Sequence, residues 1–215
     1  GRSILARLIV GSSNTMTIAL ATVCASTIIG ALLGIYAGIK RGWIAQVILR
    51  AADVLISLPS LLLAMVVLYV LGASAVNVVL VLAITRIPVF LRTAYAEVLE
   101  VRERMYVTAA EVFGASTLRL LVQHITPAIV PTLLTLAAME FALVMLTESG
   151  LSFLGLGLQP PEITWGLMVA EGRNHLAPAW WISLWPGIAI TLVTLSLSFI
   201  ADWLNLILRW AHLVV

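Results

Sequence analysis

Residues able to do chemistry are few in this 215-residue sequence, and they are scattered. The histidines, His124, His175 and His212, share no metal-ligand spacing. A single cysteine, Cys24, excludes an internal disulfide or a cysteine metal cluster. Lying in an apolar run, it reads as a small buried hydrophobe. The only lysine, Lys40, is followed by Arg41 and has no glycine-rich phosphate loop before it, so no residue set here hydrolyses a nucleotide. What stands out are charges in apolar surroundings. Arg86 closes an uncharged run that opens after Asp53, and Glu140, Glu148 and Asp202 lie in or near other such runs, Glu140 the deepest. A charge within a membrane span costs roughly 2.5–3.5 kcal/mol on insertion scales and is functional by default. Arg86 has two readings: contact with a carboxylate or other anionic group of a solute, or an ion pair with Asp53, Glu140 or Glu148, with snorkelling toward water as a variant of the second. Glu140 likewise either lines a path or makes a polar helix–helix contact.

These positions require lipid-embedded helices to hold them. Hydrophobic residues make up 62% of the chain and charged residues 10%, against about 45–50% and about 25% in soluble domains. A water-exposed globule of this size cannot hide so much apolar surface. An ordinary cytosolic enzyme, a disordered chain and a nucleic-acid binder are all excluded. The formal charge of +2 is too small a field for polyanion binding. Uncharged runs place helical spans near residues 12–39, 54–71, 76–91, 127–146 and 182–206, each close to the roughly 20 residues a bilayer requires. The turn between the second and third falls at Gly72–Asn77, and Pro127 opens the fourth. The runs are too long and unalternating for barrel strands. With the first residues outside, Lys40, Arg41, Arg50, Arg92, Arg102, Arg104, Arg119 and Arg209 fall inside, and only Arg2, Arg7 and Arg173 outside. The sequence begins with Gly, and residues 1–10 look amphipathic rather than like a signal peptide, so a preceding span is expected to be missing from it.

Residues 92–126 form a charged island with Arg92, Glu97, Glu100, Arg102, Glu103, Arg104, Glu111 and Arg119, of net charge zero. Alternating signs indicate a solvated helical surface on the cytoplasmic side, and Glu100 and Arg104 have the favourable i,i+4 order. At its centre stands Thr108-Ala109-Ala110-Glu111-Val112-Phe113-Gly114. The alanines offer a flat face to a close-packed partner. Gly114 suits a left-handed helix cap, and Ser116 caps a second helix with Leu118, Leu121, Val122 and Ile125 on its apolar side.

Ala109-Ala110, three residues, then Gly114, and later Ile125-Thr126-Pro127, resembles the Glu-Ala-Ala loop of ABC importer permeases. Thr108 replaces the family's Glu, and Ile125 stands one residue nearer the proline than in the family pattern. Residues 1–11 are similar to the stretch before the second span of the permeases of dipeptide, oligopeptide and nickel importers. Leu151 to Pro161, followed by Trp165-Gly166, is similar to their outward loop. The resemblance implies an all-α integral membrane protein, a type I ABC importer permease bundle of six spans of which this chain carries five. Residues 1–215 would form a single transmembrane permease domain with a cytoplasmic coupling loop at 92–126 and an external loop at 149–181. It further implies a bacterial or archaeal inner-membrane location and cargo of peptides or similar small solutes. The implied partners are a second homologous permease subunit, two cytoplasmic ATPase subunits and an extracytoplasmic substrate-binding protein. No cofactor is expected in this chain, ATP-Mg being held by the ATPases, and no catalysis. Thr108, Ala109, Ala110, Glu111, Phe113 and Gly114 would couple the chain to an ATPase; Glu111 faces either water or a partner's basic residue. Arg86 and Glu140 are the candidates for the solute path.

Two other classes compete. An ion-coupled secondary transporter would show internal repeats and broken helices; no repeat is evident in these spans. Gly72-Ala73-Ser74-Ala75 resembles the serine motif of rhomboid proteases, but a nucleophilic serine needs a histidine within hydrogen-bond reach. Ser74 falls at an outward turn, His124 and His212 fall inside, and His175 lies on an external loop without a second motif. In the loop 149–181, Gly150, Gly155, Gly157, Pro160, Pro161 and Pro178 prevent one long helix, leaving a surface for the binding protein or a cap on an outer gate. Trp180, Trp181 and Trp185 read as interfacial anchors.

Overall fold

The computed structural model describes residues 3–40 and 42–214, without the side chains at 204, 205 and 208–214. Arg2, Arg41 and the side chains of Arg209 and His212 lie outside the described residues. All regular structure among the described residues is helical. Helix α1 spans Ile4–Lys40, α2 Gly42–Ser57, α3 Ser60–Leu71, α4 Ala75–Arg102, α5 Met105–Val112, α6 Thr117–Leu120, α7 Thr126–Phe153, α8 Trp165–Gly172, α9 Leu176–Ala179 and α10 Trp181–Val214. Four stretches are long and apolar enough to cross a bilayer: α1, α4, Thr117–Phe153 and Trp181–Trp203; the bent pair α2–α3 supplies a fifth if it counts as one span.

The bundle is organised around one seam. On α1, Ser26, Gly30, Gly34 and Gly38 recur every fourth residue, so they stack along one face. That face lies on α4 so closely that a Cβ at Gly34 would stand 2.3 Å from the Leu91 carbonyl oxygen. At Gly30 it would stand 2.6 Å from the Phe90 Cβ, and at Gly38 2.6 Å from a Val98 methyl. Lipid tails are as apolar as leucine, so helices in a bilayer gain from close van der Waals contact, and small residues permit it. Phe90, Ala94 and Val98 are fully buried as a result. Cys24 is the converse case. It was expected to be buried, yet it is exposed, because α1 packs on one face and residue 24 lies on the other.

The expected span 54–71 is broken. Ser57 ends α2, Ser60 begins α3, and the two axes meet at 85°. Pro59 disfavours helical geometry at Leu58 and cannot donate a backbone hydrogen bond, which separates the segments. At 12 residues α3 reaches about 18 Å, short of a roughly 30 Å core. The fourth span starts earlier than Pro127. Residues Leu121–Ile125 form a π turn that joins α6 to α7, with the Thr126 N–H donating to Leu121 C=O. Pro127 lacks an N–H, and the chain absorbs the missing bond by widening its register.

At the other end of the bundle, residues 159–172 fold back onto the first half of α1. The Trp165 indole donates to Leu8 C=O at 2.9 Å, its backbone N–H to Thr15 Oγ1 at 3.1 Å, and Asn14 Nδ2 to Ile163 C=O at 2.8 Å. Arg7 pairs with Glu171. Trp180, Trp181 and Trp185 are exposed around the start of α10, as interfacial anchors require.

Gly34→Ala should cost about 1–3 kcal/mol through overpacking against Leu91. Gly187→Ala on α10 meets nothing within 4 Å and serves as the control. Thermal unfolding in detergent should separate the two; equal midpoints would contradict the seam.

Candidate functional site: a capped short helix and an ion pair between spans

The end of the bundle where α1 and α4 stop carries the sequence-predicted site. Helix α4 ends at Arg102, where the Glu103 N–H turns back to Glu100 C=O. Arg104 donates to Glu100 at 3.0 Å, the expected i,i+4 pair. That bond raises the arginine pKa above its ordinary value.

The short helix α5 is anchored on one side and bare on the other. Val107 is fully buried, Ala110 packs against the core, and the Tyr106 ring stacks on His124 of the π turn at 6.2 Å between centroids. Met105, Thr108, Ala109 and Val112, at i, i+3, i+4 and i+7, share the opposite face, and all are exposed. Phe113 continues that face and is 89% exposed. Gly114 then adopts φ +83°. Its N–H donates to Glu111 C=O at 2.9 Å, and the Ala115 N–H to Ala110 C=O at 3.0 Å. This paired arrangement is a Schellman cap, for which a left-handed glycine is the natural residue. Ser116 restarts the chain, its hydroxyl accepting from the Arg119 N–H.

Thr108, Ala109, Ala110, Glu111, Phe113 and Gly114 are therefore brought together on one element. Glu111, read as facing water or a partner, is half exposed and lies 3.9 Å from Arg102. Met105 and Val112 were not singled out in the sequence, although their i,i+7 spacing around Thr108 and Ala109 carried the signal. Four apolar side chains exposed on one short, rigidly capped helix form a surface suited to a protein groove.

Within the bilayer, Arg86 of α4 and Glu140 of α7 meet each other. Arg86 Nη1 lies 3.5 Å from Glu140 Oε2, the side chains being 16% and 6% exposed. Arg86 Nη2 donates to Thr147 Oγ1 at 3.1 Å. Of the partners considered for Arg86, Glu140 is the one it contacts. Asp53 instead pairs with Arg92 and lies 3.7 Å from Arg50. Glu148 is buried one turn before Ser152, whose hydroxyl donates to it at 2.7 Å. Ser74 has a structural task, its hydroxyl accepting from the Asn77 N–H at the start of α4.

A family model described as the binding-protein-dependent transport system inner membrane component matches residues 30–209. The chain belongs to this family. It is similar to the di/tripeptide transport system permease protein DppC of Pseudomonas aeruginosa (strain UCBPP-PA14), at 38% identity over 205 residues, 95% of this chain and 68% of the relative. The probable D,D-dipeptide transport system permease protein DdpC of Escherichia coli (strain K12) is 38% identical over 94% of this chain and 68% of its own length. The glutathione transport system permease protein GsiD of Pectobacterium atrosepticum is 34% identical over 95% and 68%. Among solved structures, an inward-facing MetNI methionine ABC transporter contains a chain matching with a TM-score of 0.76 at 13% identity, over 97% of this chain and 98% of that one. A crystal structure of an amino acid ABC transporter with histidines matches at 0.61 and 17% identity, over 97% and 99%. These two likenesses show the fold. The binding-protein-dependent permease described here is thus a multi-pass inner-membrane subunit of an ABC importer, and it works with other subunits of that transporter.

For this permease, removing one member of the Arg86–Glu140 pair leaves a buried charge uncompensated, at a cost of about 3–5 kcal/mol. Arg86→Met and Glu140→Leu should each lower the unfolding midpoint more than the double variant does. A double variant as unstable as both singles combined would show that the two side chains do not interact.

Proposed function

We propose that this permease forms half of a translocation path for peptides or similar small solutes. Its partners in this reading are a second homologous permease subunit, two cytoplasmic ATPase subunits and an extracytoplasmic binding protein. The peptide class rests on similarity to relatives named for di/tripeptides, D,D-dipeptides and glutathione. The chain itself performs no catalysis and holds no cofactor; ATP-Mg belongs to the ATPase subunits.

The observation that carries the coupling role is the bare apolar face of α5, Met105, Ala109, Val112 and Phe113, standing on a helix fixed by Val107 and capped by Gly114. In this reading an ATPase groove receives that face, and closure of the ATPase pair moves α5 as a rigid body with the spans attached to it. Arg86 and Glu140 tie α4 to α7 beside the path, so a solute anion reaching Arg86 must displace Glu140.

Gly114→Asp tests the coupling role. It places a side chain at a left-handed position and a negative charge at the negative end of the helix dipole. ATP-driven uptake of a radiolabelled dipeptide by reconstituted transporter should fall by roughly tenfold or more, the equivalent of about 1.4 kcal/mol, with normal amounts of the permease in the membrane. Gly114→Asn, which tolerates the left-handed backbone without the charge, should retain most uptake. Normal ATPase assembly and uptake with Gly114→Asp would defeat the assignment.

A further inference from the structure

Three helix C-termini converge on one guanidinium. Arg102 is the last residue of α4. Its Nη1 donates to Gly38 C=O at 3.3 Å and to Ile39 C=O at 3.2 Å, in the last turn of α1. Its Nη2 lies 3.9 Å from Glu111 Oε1, in the last turn of α5. Helix C-terminal carbonyls have no partner within the helix and carry partial negative charge. The α1 helix stops because Gly42 turns at φ +71°, which leaves those carbonyls to be satisfied from outside. Glu111 lies at the end of α5 where the helix dipole disfavours an anion, so it too gains from a nearby cation. Arginine suits the task because its planar fork can donate in two directions at once.

The other end of α1 is also held. Leu8, Asn14 and Thr15 bond to the external segment around Trp165, so one unbroken helix of 37 residues runs from that segment to Arg102. Such a helix is about 55 Å long. Between its ends it is fixed to α4 by the glycine seam.

We propose that Arg102 is a positioning residue for energy coupling: it joins α5 to the inner end of α1, so that movement imposed on α5 is carried to the external segment. This rests on the reading of α5 as the ATPase contact. Arg102 touches neither solute nor nucleotide; it acts by fixing the angle between two helices.

The test uses the assembled transporter in proteoliposomes, with Ile9→Cys as a reporter at the outer end of α1 in a Cys24→Ala background. The readout is the ATP-dependent change in labelling of that cysteine by a membrane-impermeant maleimide, with ATPase co-purification followed in parallel. With Arg102 intact, ATP should alter the labelling rate. Arg102→Gln should reduce the alteration by about fivefold or more, the low end for coupled sites, with the ATPase subunits still bound. Arg102→Lys, which keeps the charge but not the fork, should fall between. Glu111→Gln leaves the α1 carbonyl bonds in place and removes the charge that faces Arg102; scored only where the ATPase subunits still co-purify, it should also reduce the alteration, which keeps the test decisive if Arg102→Gln assembles poorly. A full ATP-dependent change in Arg102→Gln or in Glu111→Gln, or no change with Arg102 intact, would overturn the proposal. Failure of the ATPase to co-purify with Arg102 intact would instead remove the underlying reading of α5, and the proposal with it.

Discussion

The close contact between α1 and α4 sets the geometry of the rest. Gly30, Gly34 and Gly38 let two backbones approach to a distance that a Cβ would forbid. In a bilayer, where burial of apolar surface does not drive helices together, this shape match takes over that role. It fixes the axial register of α4 against α1. Register in turn brings Arg102 to the last carbonyls of α1 and sets the point at which α5 begins. A slip of one turn would move Arg102 by about 5.4 Å and leave it without those acceptors.

Two features sit on this frame. Inside the spans, the charge of Arg86 is met within the chain by Glu140, and Thr147 accepts a hydrogen bond from it. Where α4 stops the pattern is inverted. There, apolar side chains are exposed together on α5, a patch of the kind that marks an interaction surface. Residues that the interior would have absorbed are presented instead by a helix whose two ends are pinned. In the proposed coupling to an ATPase, a stiff, exposed, apolar element would carry movement that a flexible loop would dissipate.

The sequence made the membrane class and the short capped helix legible. Long uncharged runs and the Ala109-Ala110 to Gly114 spacing each report on local physics that does not depend on the rest of the fold. Gly114 and Ser116 were readable as caps for the same reason. What escaped was set by tertiary packing. Hydropathy is blind to the break that Pro59 makes inside an apolar run. Gly30, Gly34 and Gly38 are evenly spaced in the sequence, but the absence of charge marks a span without saying which of its faces packs. Cys24 reads as interior because apolar surroundings in sequence do not tell lipid from protein. Arg86 had several possible partners, and only the relative rotation of α4 and α7 selects Glu140.

Direct contact between α5 and an ATPase subunit is the claim on which the functional reading stands. It is measured most directly by placing a photoreactive side chain at Phe113 and irradiating the assembled, transport-competent complex. If α5 lies in an ATPase groove, the permease and an ATPase subunit will be joined in high yield through that position, and the yield will change when ATP closes the ATPase pair. If position 113 joins to nothing while solute is still carried at the full rate, α5 is not the point of coupling.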